Sequence, residues 1–133
     1  MQKGLYRIID ANYNRAREGL RVCEDIFRFL LCDGEAAIRV KRIRRTLAGI
    51  IGKFPTYLLL SARNVEKNGA KFKMSTTPKV EVKELLRRNF QRVTEALRVL
   101  EETTSIFEPG YKKELMRLRF KVYELEKLSL VGK

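Results

Sequence analysis

Apolar residues recur along this chain at steps of three and four, which is the spacing of an amphipathic α-helix. The first run predicts a long helix over about residues 6–31, closed by Asp33-Gly34, which also caps the next helix. Its apolar positions are Ile9, Tyr13, Ala16, Leu20, Cys23 and Phe27. The second run predicts a helix that ends near Gly52, with apolar positions Ala36, Val40, Ile43, Leu47 and Ile50.

The second half of the chain repeats this organisation after an interruption. Residues 55–62 are expected to form one or two helical turns, and residues 63–77 lose the apolar periodicity and predict a mobile loop. Thr77-Pro78 is typical of a helix start, with proline at the first helical position. It opens a predicted helix to about residue 106, which Pro109-Gly110 breaks. A last helix is predicted over about residues 111–129, with Leu115, Leu118, Val122 and Leu125 on its buried face.

An internal repeat decides the expected architecture. The pattern Asn-x-x-Arg-x-x-Glu-x-Leu-Arg-Val-x-Glu occupies residues 12–24 and again residues 89–101. A weaker echo, Arg-apolar-Arg, follows each copy at residues 42–44 and 117–119. Because each copy and its echo make one helical hairpin, we expect an all-α, single-domain four-helix bundle over residues 1–133. Its two pseudo-symmetric hairpins would span about residues 6–52 and 80–129.

Charge narrows the class of partner. The chain carries 29 Lys and Arg against 16 Asp and Glu, a net charge of +13, and no histidine. This excess favours an anionic partner such as a phosphorylated metabolite, a nucleic acid or a membrane surface. Alternatively, the many charged residues form ion pairs across the surface, as they do in proteins of thermophiles. With no histidine, histidine-based relays and metal sites are excluded.

The cysteines, the apolar runs and the aromatic residues bear on the cellular compartment and on nucleic-acid binding. The two cysteines, Cys23 and Cys32, have no metal-type spacing, which indicates reduced thiols. The sequence has no signal-peptide core and no apolar run of membrane-spanning length, so we expect a cytoplasmic protein without membrane contact. Aromatic residues fall mostly at core spacing rather than among surface lysines, which argues against single-strand nucleic-acid binding.

Polar side chains of the two repeats are directed towards the bundle interior. Asn12 and Asn89 lie within the apolar arcs of their helices, and the Arg and Glu that follow drift towards one edge of each arc. Arginine suits bidentate phosphate binding, and carboxylates are ligands for Mg²⁺. The residues predicted to bind phosphorylated substrates are Asn12, Arg15, Arg44, Asn89, Arg92 and Arg119.

A structural interpretation of the same residues stays open. Asn12 and Asn89 would then pair across a pseudo-twofold axis to fix register. Each Arg would pair with the Glu three residues later on a solvated edge. The second Glu of each copy, Glu24 and Glu101, is expected on the outer face in solvated ion pairs, like Asp25 and Glu102.

The repeats also carry a resemblance to a known family. Residues 7–22, 24–25 and 28–29, then residues 89–102 and 118–126, resemble the monofunctional hydroxymethylpyrimidine phosphate kinases of thiamin biosynthesis. That helical domain occurs alone or fused ahead of thiamin phosphate synthase. The resemblance covers nearly the whole chain and departs in the loop, where Arg63-Asn64 stands for the family's Arg-Asp. If that aspartate binds a metal, Asn64 is a weaker ligand.

The resemblance implies transfer of the γ-phosphoryl group of ATP, with Mg²⁺, to hydroxymethylpyrimidine phosphate. We expect Arg63 to contact the transferring group from a loop that closes over the phosphates, and Glu18 and Glu95 to help catalysis by holding Mg²⁺. The same loop is alternatively an ordinary linker. The alternative function is a non-catalytic domain that binds thiamin precursors and partners thiamin phosphate synthase. A basic nucleic-acid-binding module is a third hypothesis, and whether the chain forms a homodimer is left open.

Overall fold

The computed structural model of the protein describes residues 1–63 and 81–132. Within these residues the chain is all-helical, with five α-helices, one π-helical turn and no strand, so the expected all-α class is confirmed. None of the described helices is both long and apolar enough to cross a membrane. The elements are α1 (Gln2–Asp25), the π-helical turn (Ile26–Leu30), α2 (Gly34–Ile51), α3 (Thr56–Ala62), α4 (Val82–Thr104) and α5 (Pro109–Leu130).

The connection between α1 and α2 has two features at its bend. The backbone widens into the π-helical turn, where the Leu31 amide donates to the Ile26 carbonyl at 2.9 Å. Cys32 then adopts a positive φ of 51°. Asp33 caps α2 as predicted, because its Oδ1 accepts a hydrogen bond from the amide of Ala36 at 3.1 Å. The predicted helix over residues 6–31 therefore exists, but it begins four residues earlier and ends in π geometry.

The start of α5 shifts one predicted boundary. The break between α4 and α5 lies at residues 105–108, and Pro109-Gly110 forms the first turn of α5. Proline is well suited to this place because its fixed φ matches the helix and the missing N–H has no helical acceptor there. The predicted Thr77-Pro78 helix start and loop residues 64–77 lie outside the described residues.

The core lies where the apolar faces of the helices meet. α1 packs against α2, α3 and α4, while α5 packs against α4 and α2. Apart from Tyr13, which is half-buried, the apolar positions predicted for the long helices are buried. The most enclosed members of the core are Ile9, Leu20, Phe27, Leu47, Leu86, Phe90, Leu97, Leu100, Leu115 and Leu118.

The two repeat-bearing helices approach closely at Gly19. A Cβ on this residue of α1 would lie 2.8 Å from Cγ2 of Val93 and 3.3 Å from the carbonyl oxygen of Asn89, both on α4. Only a residue without a side chain fits at this distance. The second copy has Ala96 at the equivalent position. The close crossing brings the polar edges of the two copies to the same surface.

Candidate functional site

A groove between α1 and α4 is lined by both copies of the repeat, and we call it the motif groove. Its volume is about 630 Å³. The first copy contributes Asn12, Arg15 and Glu18, and the second contributes the equivalent Asn89, Arg92 and Glu95. The apolar lining consists of Gly19, Val22, Ala96 and Val99. The structure therefore brings together six of the predicted site residues, with two guanidinium groups, two carboxylates and two amides.

The two asparagines bond to their own helices in the same way, although Oδ1 of Asn12 also accepts a hydrogen bond from Nη1 of Arg15 at 3.4 Å. Nδ2 of Asn12 donates to the carbonyl of Ile8 at 2.9 Å, and Nδ2 of Asn89 donates to the carbonyl of Leu85, also at 2.9 Å. Each buried amide is thus satisfied by its own helix, which lowers the cost of burying it. The alternative in which Asn12 and Asn89 pair directly is wrong in the described structure, because they form no hydrogen bond with each other.

The four charged residues of the motif groove form no ion pairs within the part of the chain that the structure describes. None of the ion pairs between described residues includes Arg15, Glu18, Arg92 or Glu95. The alternative of Arg–Glu pairs three residues apart is therefore not realised in either copy. Oε1 of Glu95 accepts a hydrogen bond from Gln91 at 3.1 Å, a neutral donor. These charges remain available to a bound ligand.

The last glutamate of each repeat is buried, which corrects the expectation of a solvated outer face. Glu24 is 1% exposed and Glu101 is 0% exposed. Nε of Arg44 donates to Glu24 at 3.1 Å, while Arg119 donates to both carboxylate oxygens of Glu101, at 2.5 and 3.2 Å. A buried carboxylate requires such a partner. The repeat and its echo contained this signal, since both members of each pair recur at equivalent places.

Arg44 and Arg119 consequently differ in their access to a ligand. Arg119 does not line the motif groove, because Glu101 holds two of its nitrogens and Nη1 donates to the hydroxyl of Tyr123 at 3.4 Å. The hydrogen bonds to Glu101 and Tyr123 raise the pKa of Arg119 above its ordinary value. Arg44 instead lines a smaller depression beside the motif groove, and Glu18 lines both.

Arg63 is anchored to α1. Its Nε and Nη2 donate to the two carboxylate oxygens of Asp10 at 2.8 and 2.7 Å, and Asp10 is buried. Hydrogen bonding to Asp10 raises the pKa of Arg63 above its ordinary value, and the negative charge of Glu18 adds to this shift. Arg63 therefore lies near the first copy of the repeat, and the role of Asp10 was missed because 53 residues separate the pair in sequence.

Glu18 and Glu95 are the residues of the motif groove that suit a divalent cation. Mg²⁺ in phosphoryl-transfer sites is commonly held by one or two carboxylates together with substrate phosphates and water. Two glutamate side chains in one groove fit this donor set. Among the described residues no cluster of three or more His, Cys, Asp or Glu side chains forms a metal cage of its own.

The fold and the groove define an all-α protein with a polar cleft between two copies of one helical motif. A comparison with protein families matches residues 7–128 to the ThiD2 family. The chain belongs to this family.

The relatives are longer proteins. The chain is 42% identical, over 136 aligned positions, to a protein named thiamine-phosphate synthase from Nostoc punctiforme, covering 99% of the chain and 37% of that protein. It is 40% identical over 124 positions to a protein of the same name from Synechocystis sp., covering 90% of the chain and 34% of that protein. The chain thus spans little more than a third of the relatives that it matches. No solved structure gives a significant match.

Proposed function

We propose that this protein transfers the γ-phosphoryl group of ATP to hydroxymethylpyrimidine phosphate, as a step of thiamin biosynthesis. The observation that carries the proposal is the motif groove, in which Arg15, Glu18, Arg92 and Glu95 converge without ion-pair partners in the described structure. Arg119, whose three guanidinium nitrogens all donate to Glu101 or Tyr123, contributes less to ligand binding. Membership of the ThiD2 family and the similarity to proteins named thiamine-phosphate synthase support this pathway.

The chemistry requires positioning and charge neutralisation more than proton transfer. A phosphate oxygen of the pyrimidine substrate attacks the γ-phosphorus of ATP, the bond from that phosphorus to the β–γ bridging oxygen breaks, and ADP leaves. At neutral pH the attacking phosphate is already largely ionised, so a histidine relay is unnecessary. Arg15 and Arg92 place guanidinium groups where negative charge accumulates.

Mg²⁺, when bound through Glu18 and Glu95, would neutralise phosphate charge and orient the donor. The protein supplies a groove whose walls come from two rigid helices, so the arginines are held in place by packed backbone rather than by a loop. Arg63 does not line the motif groove, but Asp10 holds it near Glu18, and its Nη1 has no hydrogen-bond partner among the described residues. We propose that this group contacts the transferring phosphoryl group.

Turnover by the purified chain tests the proposal. Protein with ATP, Mg²⁺ and hydroxymethylpyrimidine phosphate should form ADP and the pyrimidine diphosphate in equal amounts. Arg15→Ala and Arg92→Ala should each weaken substrate binding by roughly 1.5–3 kcal/mol, the scale of a hydrogen bond to a charged group. Arg88→Ala, which removes an exposed arginine of α4 outside the groove, is the matched control and should retain activity.

A non-catalytic role is the competing function, since the chain covers only 37% of a relative named thiamine-phosphate synthase. That role predicts binding of the pyrimidine phosphate without ADP formation when the chain is assayed alone. Absence of turnover in wild type, or equal turnover in wild type and an Arg15→Ala/Arg92→Ala double variant, would contradict the kinase.

We propose further that the architecture is a four-helix bundle of two pseudo-symmetric hairpins, α1 with α2 and α4 with α5. Three equivalences support it: the asparagine bonds to Ile8 and Leu85, the buried glutamates paired with the following helix, and the shared groove. An experimental structure in which the two hairpins do not superpose through one rotation would contradict this arrangement.

A further inference from the structure

Next to the motif groove lies a depression lined by three arginines and one glutamate, which we call the arginine depression. Its lining residues are Arg17, Glu18 and Arg21 from α1 and Arg44 from α2, and its volume is about 380 Å³. Glu18 lines both concavities, so a ligand in the motif groove that extends past Glu18 reaches the three guanidinium groups.

The arginines of the depression keep donors for a ligand. Arg44 uses Nε on Glu24, and neither Nη1 nor Nη2 has a hydrogen-bond partner among the described residues. Arg21 is 3.8 Å from Glu24, and Nη2 of Arg17 donates to the neutral amide of Asn14 at 2.9 Å. Because Arg28 also lies 3.1 Å from Glu24, this carboxylate is shared by three cations and leaves positive charge uncompensated.

The equivalent residues of the second copy do not offer the same set of guanidinium donors. Thr94 occupies the place equivalent to Arg17, and it is buried with its hydroxyl donating to the carbonyl of Gln91 at 3.0 Å. Arg98, equivalent to Arg21, pairs with Glu102 at 3.3 Å. Arg119, equivalent to Arg44, donates from all three of its nitrogens to Glu101 and Tyr123. The first copy of the repeat therefore leaves more guanidinium donors for an anion than the second copy does.

We propose that the arginine depression binds the polyphosphate tail of the nucleoside triphosphate donor, so that the donor occupies the first-copy side of the molecule. This inference rests on the proposed kinase function, and it assigns the two substrates of the kinase to different sides of the molecule. A triphosphate carries several charges in a row and requires several guanidinium groups, whereas a monoester requires fewer. The acceptor phosphate is then left to the second-copy half of the motif groove, at Asn89, Arg92 and Glu95.

The first test uses inorganic tripolyphosphate with Mg²⁺ and does not depend on turnover. In a titration followed by the arginine Nε–H resonances in nuclear magnetic resonance, Arg17, Arg21 and Arg44 should shift with saturation. Arg98 and Arg119 should not shift. Shifts that are as large at Arg98, or that spread evenly over exposed arginines such as Arg88, would overturn the assignment.

The second test separates the two substrates kinetically. Removing two exposed donors in Arg17→Gln/Arg21→Gln should raise the KM for ATP about tenfold or more, while the KM for hydroxymethylpyrimidine phosphate changes by less than about twofold. The control Arg88→Gln/Arg98→Gln removes the same charge from α4 and should alter neither KM to this extent. Circular dichroism checks that both double variants keep the helical content of wild type.

The outcomes distinguish this inference from the proposed function. A wild-type chain with turnover whose Arg17→Gln/Arg21→Gln variant keeps its KM for ATP contradicts the inference and leaves the kinase standing. A wild-type chain without turnover contradicts the kinase, and the tripolyphosphate titration then decides whether the depression is a polyphosphate site. Equal rises of both KM values would assign the arginines to general electrostatics and overturn the proposal.

Discussion

At the scale of single residues, the two buried glutamates show how one motif produces two different environments. Glu101 is buried, and Arg119 is the only basic residue among those described that donates hydrogen bonds to it. Glu24 is equally enclosed but is reached by Arg21, Arg28 and Arg44. A buried carboxylate that loses its partner is strongly destabilising, because its charge is left without compensation.

We therefore expect different costs from equivalent substitutions. Arg119→Ala should lower the free energy of unfolding by about 3–5 kcal/mol, the scale for breaking a buried pair. Arg44→Ala should cost less, about 1.5–3 kcal/mol, because Arg28 remains on Glu24. Urea denaturation of both variants measures this difference. Equal losses, or a larger loss for Arg44→Ala, would contradict the account of the two environments.

The two cysteines differ in reactivity for a similar local reason. Burial raises the pKa of Cys23 to about 12, and the negative charge of Glu126 adds to the shift, whereas Cys32 is exposed. Only a thiolate reacts with alkylating reagents. At pH 8 we expect iodoacetamide to modify Cys32 in the native protein and Cys23 only after unfolding, as measured by mass spectrometry.

The same raised pKa has a consequence for stability. A thiol whose pKa is higher in the folded state keeps its proton longer there than in the unfolded chain, so folding is weakened as pH rises through the interval from about 9 to about 12. Below that interval Cys23 makes no pH-dependent contribution. Native-state labelling of Cys23 as fast as that of Cys32 would contradict the burial on which both expectations depend.

At the scale of helices, the distance between α1 and α4 determines the width of the motif groove. Gly19 permits this distance, since an added Cβ would meet Val93 and the backbone of α4. Gly19→Ala should create overlap costing about 1–3 kcal/mol, against a gain in helix propensity of about 1 kcal/mol. The difference is a net loss of stability of about 0–2 kcal/mol, about 1 kcal/mol at the middle of these ranges, measured by urea denaturation.

Two further variants make this prediction specific. Gly49→Ala lies in α2, where a new Cβ meets nothing within 4 Å, so it should be neutral or stabilising. In a Val93→Ala background the side chain that would meet the new Cβ is shortened, so Gly19→Ala should cost less there than in wild type. An equal cost in both backgrounds would show that Val93 is not the source of the overlap.

The sequence predicted features of single helices better than contacts between helices. The apolar stripes and the six residues of the motif groove followed from periodicity and from the repeat, because both depend on single helices that exist as expected. The burial of Glu24 and Glu101 did not follow, since a neighbouring helix covers positions that a single-helix projection places on the outer face. The Asp10–Arg63 pair joins distant parts of the chain, and no local pattern indicates such a contact.

At the scale of the whole molecule, a net charge of +13 attracts any polyanion, so binding alone does not identify the ligand. Under the proposed function the motif groove would supply the discrimination, because its four charged residues form no ion pair with another described residue. A specific ligand should therefore stabilise the fold through the groove arginines, whereas non-specific anions act on the surface as a whole.

Ligand-linked thermal stability tests this distinction. A ligand that binds only the folded protein at about 100 times its Kd adds roughly 2.7 kcal/mol, which for a domain of this size raises Tm by several degrees. ATP with Mg²⁺ and hydroxymethylpyrimidine phosphate should each raise the Tm of wild type. Both shifts should shrink in Arg15→Ala/Arg92→Ala and persist in Arg88→Ala/Arg98→Ala, which carries the same net charge. Sulfate at equal ionic strength should shift all three proteins alike, because it acts on the shared basic surface. Equal ligand shifts in the two double variants would show that the groove arginines do not select the ligand.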